Sequence, residues 1–427
     1  MTTSRKFSRR EMIGKTAAAF AIPYFVPSEV IGWKGRTGAN DRIVIGNIGV
    51  GGMGINHVAS DSAAICDVDD GHMANAAKRV TQGTPLLTKD FRRILDRKDI
   101  DAVMIATPDH WHAVMTVMAC QAGKHVYCEK PTSRTIEEGR AMVNAARYYD
   151  RTVQIGAQGR STPSGRSIAN YVLNGMIGKV SRVDVWHVLN FSTTDWGDPQ
   201  PVPASLDWNM WLGPAKWVDY NPIRCFFNFR WFMDFGAGFI RDRGMHAFSI
   251  VSWAMDNDHY KGVVTCEATG ERKTVGCYDV PDTMSVTWTF QNPRWTLTWG
   301  QPGNPPSQNP QGWGAIYHGD KGELLQFGGD GGCDTEPKAK EFKVPPGGKE
   351  VTVSNNHREN WLNAIRTHAK PIMDVEIGYH VVTLCILGNI AWTLGRKVTY
   401  DFTRETFIND EEANRMLRGE YRAPWQI

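Results

Sequence analysis

Arg42-Ile43-Val44-Ile45-Gly46-Asn47-Ile48 runs without a break into Gly49-Val50-Gly51-Gly52-Met53-Gly54, and this junction decides the fold. An apolar run ending in Gly-x-Gly-x-x-Gly predicts a strand that turns directly into a helix. Glycine allows the tight turn, the close approach of a pyrophosphate to the main chain, and the packing of helix on strand; the helix N-terminus then favours the phosphate charge. The next apolar run, Ala63–Asp67, ends on a carboxylate 18 residues after Gly49, where it can accept the ribose hydroxyls of a dinucleotide. A carboxylate repels a 2′-phosphate, so Asp67 favours NAD over NADP, with Asp69 and Asp70 as competitors for the same role.

Further along, Ala102–Thr107, His125–Cys128 and Thr152–Ile155 are also continuous apolar runs, as expected of strands covered on both faces. Between the last two, Thr135-x-x-Glu138 forms a capping box ahead of the helical pattern Ile136–Tyr149. Strands alternating with helices predict βαβ units and a parallel sheet, a Rossmann domain over residues 41–155. From about residue 180 the strands become longer and alternate. In Thr283–Phe290, Met284, Val286, Trp288 and Phe290 face one way and Thr283, Ser285, Thr287 and Thr289 the other. Gln291-Asn292-Pro293 turns the chain, and Trp295, Leu297 and Trp299 resume the alternation. A second hairpin turns at Gly319-Asp320-Lys321-Gly322, segments 300–314 and 328–349 read as loops, and His357–Thr367 and Gly378–Leu394 read as helices. The predicted class is α/β: an N-terminal Rossmann domain, then a C-terminal α+β domain (156–427) with a large open, mostly antiparallel sheet and terminal helices packing back.

The 427 residues exceed one ordinary core, and 41% hydrophobic with 22% charged residues is a soluble globular composition. The net charge of +3 comes from residues 1–40, which hold 7 Lys/Arg against 2 Asp/Glu and leave 41 against 43 elsewhere. No basic stripe interleaved with aromatics marks a nucleic-acid partner. Ser8-Arg9-Arg10-Glu11-Met12-Ile13-Gly14-Lys15 resembles the twin-arginine export signal, and the apolar stretch Thr16–Val26 follows. Pro23 and Pro27 interrupt it short of the ~20 residues a membrane span needs. Residues 1–40 are therefore expected to be signal and linker, with the export machinery as a partner and a periplasmic or otherwise exported destination. The eight cysteines form no Cys-x-x-Cys pair, so buried free thiols are expected, although Cys266 and Cys277 could pair. Asp109, His110 and His112 lack a further ligand that would make a zinc set, and no metal is expected.

Ala106-Thr107-Pro108-Asp109-His110-Trp111-His112 and Cys128-Glu129-Lys130-Pro131, with the glycine turn, resemble the Gfo/Idh/MocA family of sugar and polyol oxidoreductases. So does Trp231-Phe232-Met233-Asp234-Phe235-Gly236-Ala237-Gly238, followed by Asp242-Arg243-Gly244-Met245-His246. The resemblance covers essentially the whole chain after the leader. It implies an open-sheet half lying against the nicotinamide, a catalytic lysine at Lys130 and an Asp-x-x-x-His pair at Asp242 and His246. Ligands bind beyond the carboxyl ends of parallel strands, so Thr107, Pro108, His110, His112, Glu129 and Lys130 are expected beside the cofactor, as are Gly49, Gly51, Gly52, Met53, Gly54 and Asp67.

In the expected chemistry His246 takes the proton of a substrate hydroxyl and Lys130 hydrogen-bonds the same oxygen; Asp242 orients the imidazole or binds a neighbouring hydroxyl. Asp242 and His246, four apart, would share one helix face. The duller readings are an ion pair of Lys130 with Glu129 and a core role for His246. Arg243 stands where the family pattern places an aromatic residue, and either pairs with acidic neighbours, as Arg241 can, or recognises an acidic sugar or phosphate. Gln158, Arg160 and Trp231 are further candidates for substrate contacts, and Trp186, Trp196, Trp208, Trp211 and Trp217 offer aromatic faces that suit sugar rings.

The expected activity is NAD-dependent oxidation of a CH–OH group of a sugar, glycoside or polyol. Soluble NAD is not expected outside the cytoplasm, so the cofactor is expected to be tightly bound. The alternatives are a redox-neutral glycosidase, epimerase or lyase working by transient oxidation, and a non-catalytic binding protein that keeps the fold. The family habit of pairing through the open sheet implies a homo-oligomer.

Overall fold

Ile45–Ile48 (β1) is buried along its whole length, as its unbroken apolar character requires. It is the third of six strands in a parallel sheet with the order β3-β2-β1-β4-β5-β6, the others being β2 (Ala64–Cys66), β3 (Leu86–Thr88), β4 (Ala102–Ile105), β5 (His125–Glu129) and β6 (Val153–Gly156). The structure, a computed structural model, describes residues 42–188, 194–195, 197–198, 200–306, 312–329 and 332–427. The twin-arginine motif, Thr16–Val26 and Trp196 lie outside the described residues.

Five of the six strands are those expected. The extra strand, β3, is three residues long at the sheet edge and only partly buried, so it carries no apolar run to betray it. The helix Ile136–Tyr148 begins with the expected box: Glu138 N donates to Thr135 Oγ1 at 3.2 Å, and Thr135 N donates to the Glu138 carboxylate at 3.1 Å.

Nine strands form the second sheet, ordered β13-β12-β11-β7-β10-β9-β8-β14-β15. They are β7 (Val180–His187), β8 (Val263–Glu271), β9 (Thr283–Gln291), β10 (Arg294–Gln301), β11 (Trp313–Gly319), β12 (Gly322–Gly329), β13 (Gly332–Thr335), β14 (Val398–Asp401) and β15 (Thr406–Phe407). Only β7 and β10 pair in parallel. The alternation predicted for β9 and β10 sets the register: Trp295 opposes Phe290, Leu297 opposes Trp288 and Trp299 opposes Val286, all buried. The 300–314 and 328–349 segments are not wholly loop. They hold the start of β11, the end of β12, β13 and a helical turn at Pro337–Lys340. Neighbouring strands complete the backbone bonding there although the glycines have little strand propensity of their own.

The apolar face of this sheet packs on the helix Val375–Leu394, which also contacts Ile136–Tyr148 of the first half. That helix is apolar on every side and long enough to cross a membrane, but its surroundings are protein, as for a core helix. Trp288 joins the two layers, with Nε1 donating to Leu384 O at 3.1 Å and its ring edge-on to Phe248. Gly388 is needed where they approach: a Cβ would lie 2.7 Å from Ile240 Cδ1 and 3.2 Å from Trp288 Cζ2. All cysteines among the described residues are free and buried, with Cys266 and Cys277 in separate apolar clusters. Trp288→Ala is expected to lower unfolding stability by about 3–5 kcal/mol, read from urea denaturation, because it opens a cavity and removes the extra hydrogen bond to Leu384 O.

Candidate active site

A cleft of about 530 Å³ opens beyond the carboxyl ends of the parallel strands, between β1 and β4 where the strand order reverses. The glycine turn forms its floor. Gly49 has φ +76°, and a Cβ there would lie 2.8 Å from the Ala106 carbonyl; one on Gly54 would lie 1.9 Å from Gly49 O. A Cβ on Gly52 would meet nothing, so that side of the loop is open to a ligand. The turn does not open a long helix as expected. Gly54–His57 is a single 3-10 turn, so the loop amides rather than a helix dipole must meet a phosphate.

Asp67 is the carboxylate in the cleft. Its Oδ2 accepts from Val50 N at 2.7 Å and its Oδ1 from Asp69 N at 3.0 Å, tying the end of β2 to the glycine loop. Its competitors are occupied elsewhere: Asp69 caps the helix Asp70–Ala77, and Asp70 pairs with Lys89. Open glycine backbone at one end and an anchored carboxylate at the other fit the pyrophosphate and ribose of a dinucleotide.

Met53, Thr107, Pro108, Glu129 and Lys130 line the cleft, whereas His110 and His112 do not. His110 is buried against Trp211 O at 3.0 Å, and burial lowers its pKa to about 3. His112 lies between Pro131 O at 2.6 Å and Thr107 O at 2.9 Å, fastening the loop after β4 to the loop after β5. These two histidines are architectural, and three of their four ring nitrogens already face carbonyl oxygens rather than a space for a metal.

Beyond the end of β5, Lys130 Nζ lies 2.6 Å from Asp242 Oδ1 and donates to Asp242 O at 3.0 Å. Arg230 Nε at 3.3 Å and Arg243 Nε at 3.5 Å flank the same carboxylate. Burial opposes its ionisation, but the three cations hold it far below the ordinary carboxylate range. The expected helix face shared by Asp242 and His246 is absent, because the short helix Phe239–Asp242 ends there and a new one starts at Gly244. Asp242 consequently turns to Lys130 instead of orienting His246. His246 is half-buried beside Trp313, its ring without a hydrogen bond among the described residues. Burial and then the Lys130 charge lower its pKa to about 3.

Glu129 accepts from Gln158 Nε2 at 2.8 Å and lies 2.9 Å from His57 Nε2. Burial raises its pKa, but the His57 contact and nearby Lys130 and His246 outweigh it and keep it below the ordinary value. Room for that carboxylate comes from Gly156, where a Cβ would sit 2.6 Å from Glu129 Oε2. Gln158 thus supports the site through Glu129. Arg160 does not belong to it: it is buried and bound to Asp258 at 2.6 Å and to Ser249 O. Trp231 is also core, edge-on to Phe239, and Arg241 is buried with Nη2 on Ser133 O. Of the other tryptophans, Trp186, Trp208 and Trp211 are buried, with Trp211 on the cleft wall, and Trp217 is exposed. Sequence reasoning missed Arg230, His57, His72, Phe226 and Phe227, which no local motif marks.

Residues 43–157 match the profile of an oxidoreductase family with an NAD-binding Rossmann fold, and residues 165–292 with 344–427 match that family's C-terminal alpha/beta domain. A levoglucosan dehydrogenase of Pseudarthrobacter phenanthrenivorans is 37% identical over 135 residues, 31% of this chain and 32% of that protein. A glycosyl hydrolase family 109 protein of Shewanella sp. is 33% identical over 157 residues, 33% of this chain and 34% of that protein. The chain thus spans about a third of the length of these two relatives. The WlbA dehydrogenase of Bordetella pertussis, solved with NADH and UDP-GlcNAcA, superposes with a TM-score of 0.61 at 18% identity, covering 83% of this chain and 98% of that one. At that identity the likeness is one of fold. Replacing Lys130 with Met is expected to raise the His246 pKa from about 3 by removing a neighbouring cation, which NMR titration of the ring would register; an unmoved titration would show that the two groups are not coupled.

Proposed function

Because the chain belongs to the Gfo/Idh/MocA oxidoreductase family and carries its NAD-binding Rossmann domain, we propose that it oxidises a CH–OH carbon of a sugar, glycoside or polyol. The observation that carries this reading is the Lys130–Asp242 pair, with Lys130 on the wall of the cleft and close enough to His246 to lower its pKa. NAD, when bound, supplies the hydride acceptor. Lys130 donates a hydrogen bond to the substrate oxygen and stabilises its developing negative charge. Asp242 holds the ammonium in place from two sides, through its carboxylate and its main-chain oxygen. His246, neutral at pH 7, takes the hydroxyl proton at a ring nitrogen. Glu129, fixed by His57 and Gln158, sets the end of β5 from which Lys130 projects.

A second reading is supported by the rim at the adenosine end. Asp207 N donates to Val68 O at 2.9 Å, Asp70 N to Ser205 O at 3.1 Å, and Lys89 Nζ to Ser205 O at 2.8 Å. Segment 205–207 of the second half is thereby tied to the loop after β2, and Met210, Trp211, Phe226, Phe227, Phe229 and Arg230 line the cleft from the same half. Such a rim favours a cofactor retained between turnovers. A retained cofactor suits either coupled oxidation and reduction of two sugars or transient oxidation that enables glycoside cleavage, and the name of the Shewanella relative is consistent with the latter. Export by the twin-arginine route also belongs to this proposal, resting on Arg9-Arg10, since a protein exported folded carries its cofactor with it.

Incubation with an aryl glycoside and no added NAD separates the two chemistries: an oxo-sugar product is expected for the dehydrogenase, and aglycone release would identify the redox-neutral reaction. In either case Lys130→Met is expected to cut turnover by about 10²–10³ while NAD still binds, and near-normal turnover would reject the assignment. Replacing Arg9 and Arg10 with Lys is expected to leave the protein in the cytoplasmic fraction; undiminished export would reject the twin-arginine route.

A further inference from the structure

His72, in the first turn of the helix Asp70–Ala77, occupies the corner between the glycine loop and the ribose carboxylate. Its Nδ1 is 3.4 Å from Asp67 Oδ1, and a Cβ on Gly51 would lie 3.0 Å from its Cε1. Phe226, reaching over from the second half, meets its ring edge at 4.6 Å between centroids. The imidazole lines the cleft, and about a third of its side chain is exposed. The charged groups around it are Asp67, Asp69, which accepts from His72 N, and the Asp70–Lys89 pair.

We propose that His72 is a cofactor-selecting residue whose charge decides whether the adenosine end of the cleft tolerates a 2′-phosphate. The inference rests on a dinucleotide lying along this cleft. Asp67 already accepts from two amides, which compensate its charge only in part. With a neutral His72 the corner is negative and repels a second anion. With a protonated His72 the pair is neutral overall, and an imidazolium N–H can be shared with a phosphate oxygen. Donation from the imidazole to the Asp67 carboxylate, opposed by burial, raises the His72 pKa above its ordinary value of 6.5. The cation is therefore gained as pH falls and lost as pH rises through the raised pKa. NAD, which lacks the 2′-phosphate, is the form accepted across the range, and discrimination against NADP weakens towards acid.

The test uses the full-length protein, freed of copurifying nucleotide, titrated calorimetrically with 2′,5′-ADP and 5′-AMP between about pH 5.5 and 8.5. These probes fill only the adenosine end, so Lys130 and His246 do not contribute. The affinity ratio of 2′,5′-ADP to 5′-AMP is expected to rise about tenfold towards acid in the wild type, beyond the rise seen in His72→Gln, where only the probe's own phosphate titrates. His72→Lys, a cation at every pH, is expected to hold the higher ratio throughout. Equal slopes in wild type and His72→Gln overturn the inference while leaving the cofactor site intact. Failure of the wild type to bind either probe or NAD overturns both.

Discussion

The buried contact between Lys130 and Asp242 is the constraint on which the rest of the molecule turns. Lys130 projects from the end of a parallel strand, and Asp242 ends a short helix of the second half, 112 residues later. Burying either charge alone would be costly, and removing one member of such a pair typically costs about 3–5 kcal/mol. The two halves are therefore tied to one relative position by a contact at the edge of the cleft. Its company is asymmetric: three cations surround one carboxylate, and burial, then the Lys130 charge, holds the His246 ring neutral.

Packing around that contact reflects a division of labour. The Rossmann half contributes mostly backbone, a glycine loop and strand ends, with Asp67, Glu129 and Lys130 as its side chains in the cleft. The second half contributes side chains, with Arg230, Asp242, Arg243 and His246 reaching in from short helical segments set on a broad sheet. Backbone recognition suits a cofactor common to many enzymes, while side chains can vary with substrate. The two relatives named above, each similar over about a third of this chain, carry names pointing to different chemistries.

Much of this was legible because it is local. The strand-to-glycine junction, the capping box at Thr135 and Glu138, the alternation in β9 and β10, and the Glu129-Lys130-Pro131 strand end all lie within a few residues of one another. What escaped depends on distant segments. Arg160 looked available until Asp258, 98 residues away, claimed it. His110 and His112 were expected beside the cofactor, but carbonyl oxygens of remote or folded-back segments take three of their four ring nitrogens and hold them off the cleft. β3 and β13 are strands because of their neighbours, not their composition. Arg230 was masked by the tryptophan beside it, which proved to be core. Asp67 is the instructive intermediate: its spacing singled it out, but only the capping role of Asp69 and the Lys89 pairing of Asp70 removed its rivals.

The main-chain ties between segment 205–207 and the loop after β2 bear on the order of assembly. Jaws that open on a hinge can be filled after they are built, whereas a mouth stitched at its corner is filled most easily while the stitches are being made. The bonds that close this corner form only as segment 205–207 docks, so the cleft is widest to a dinucleotide before that step.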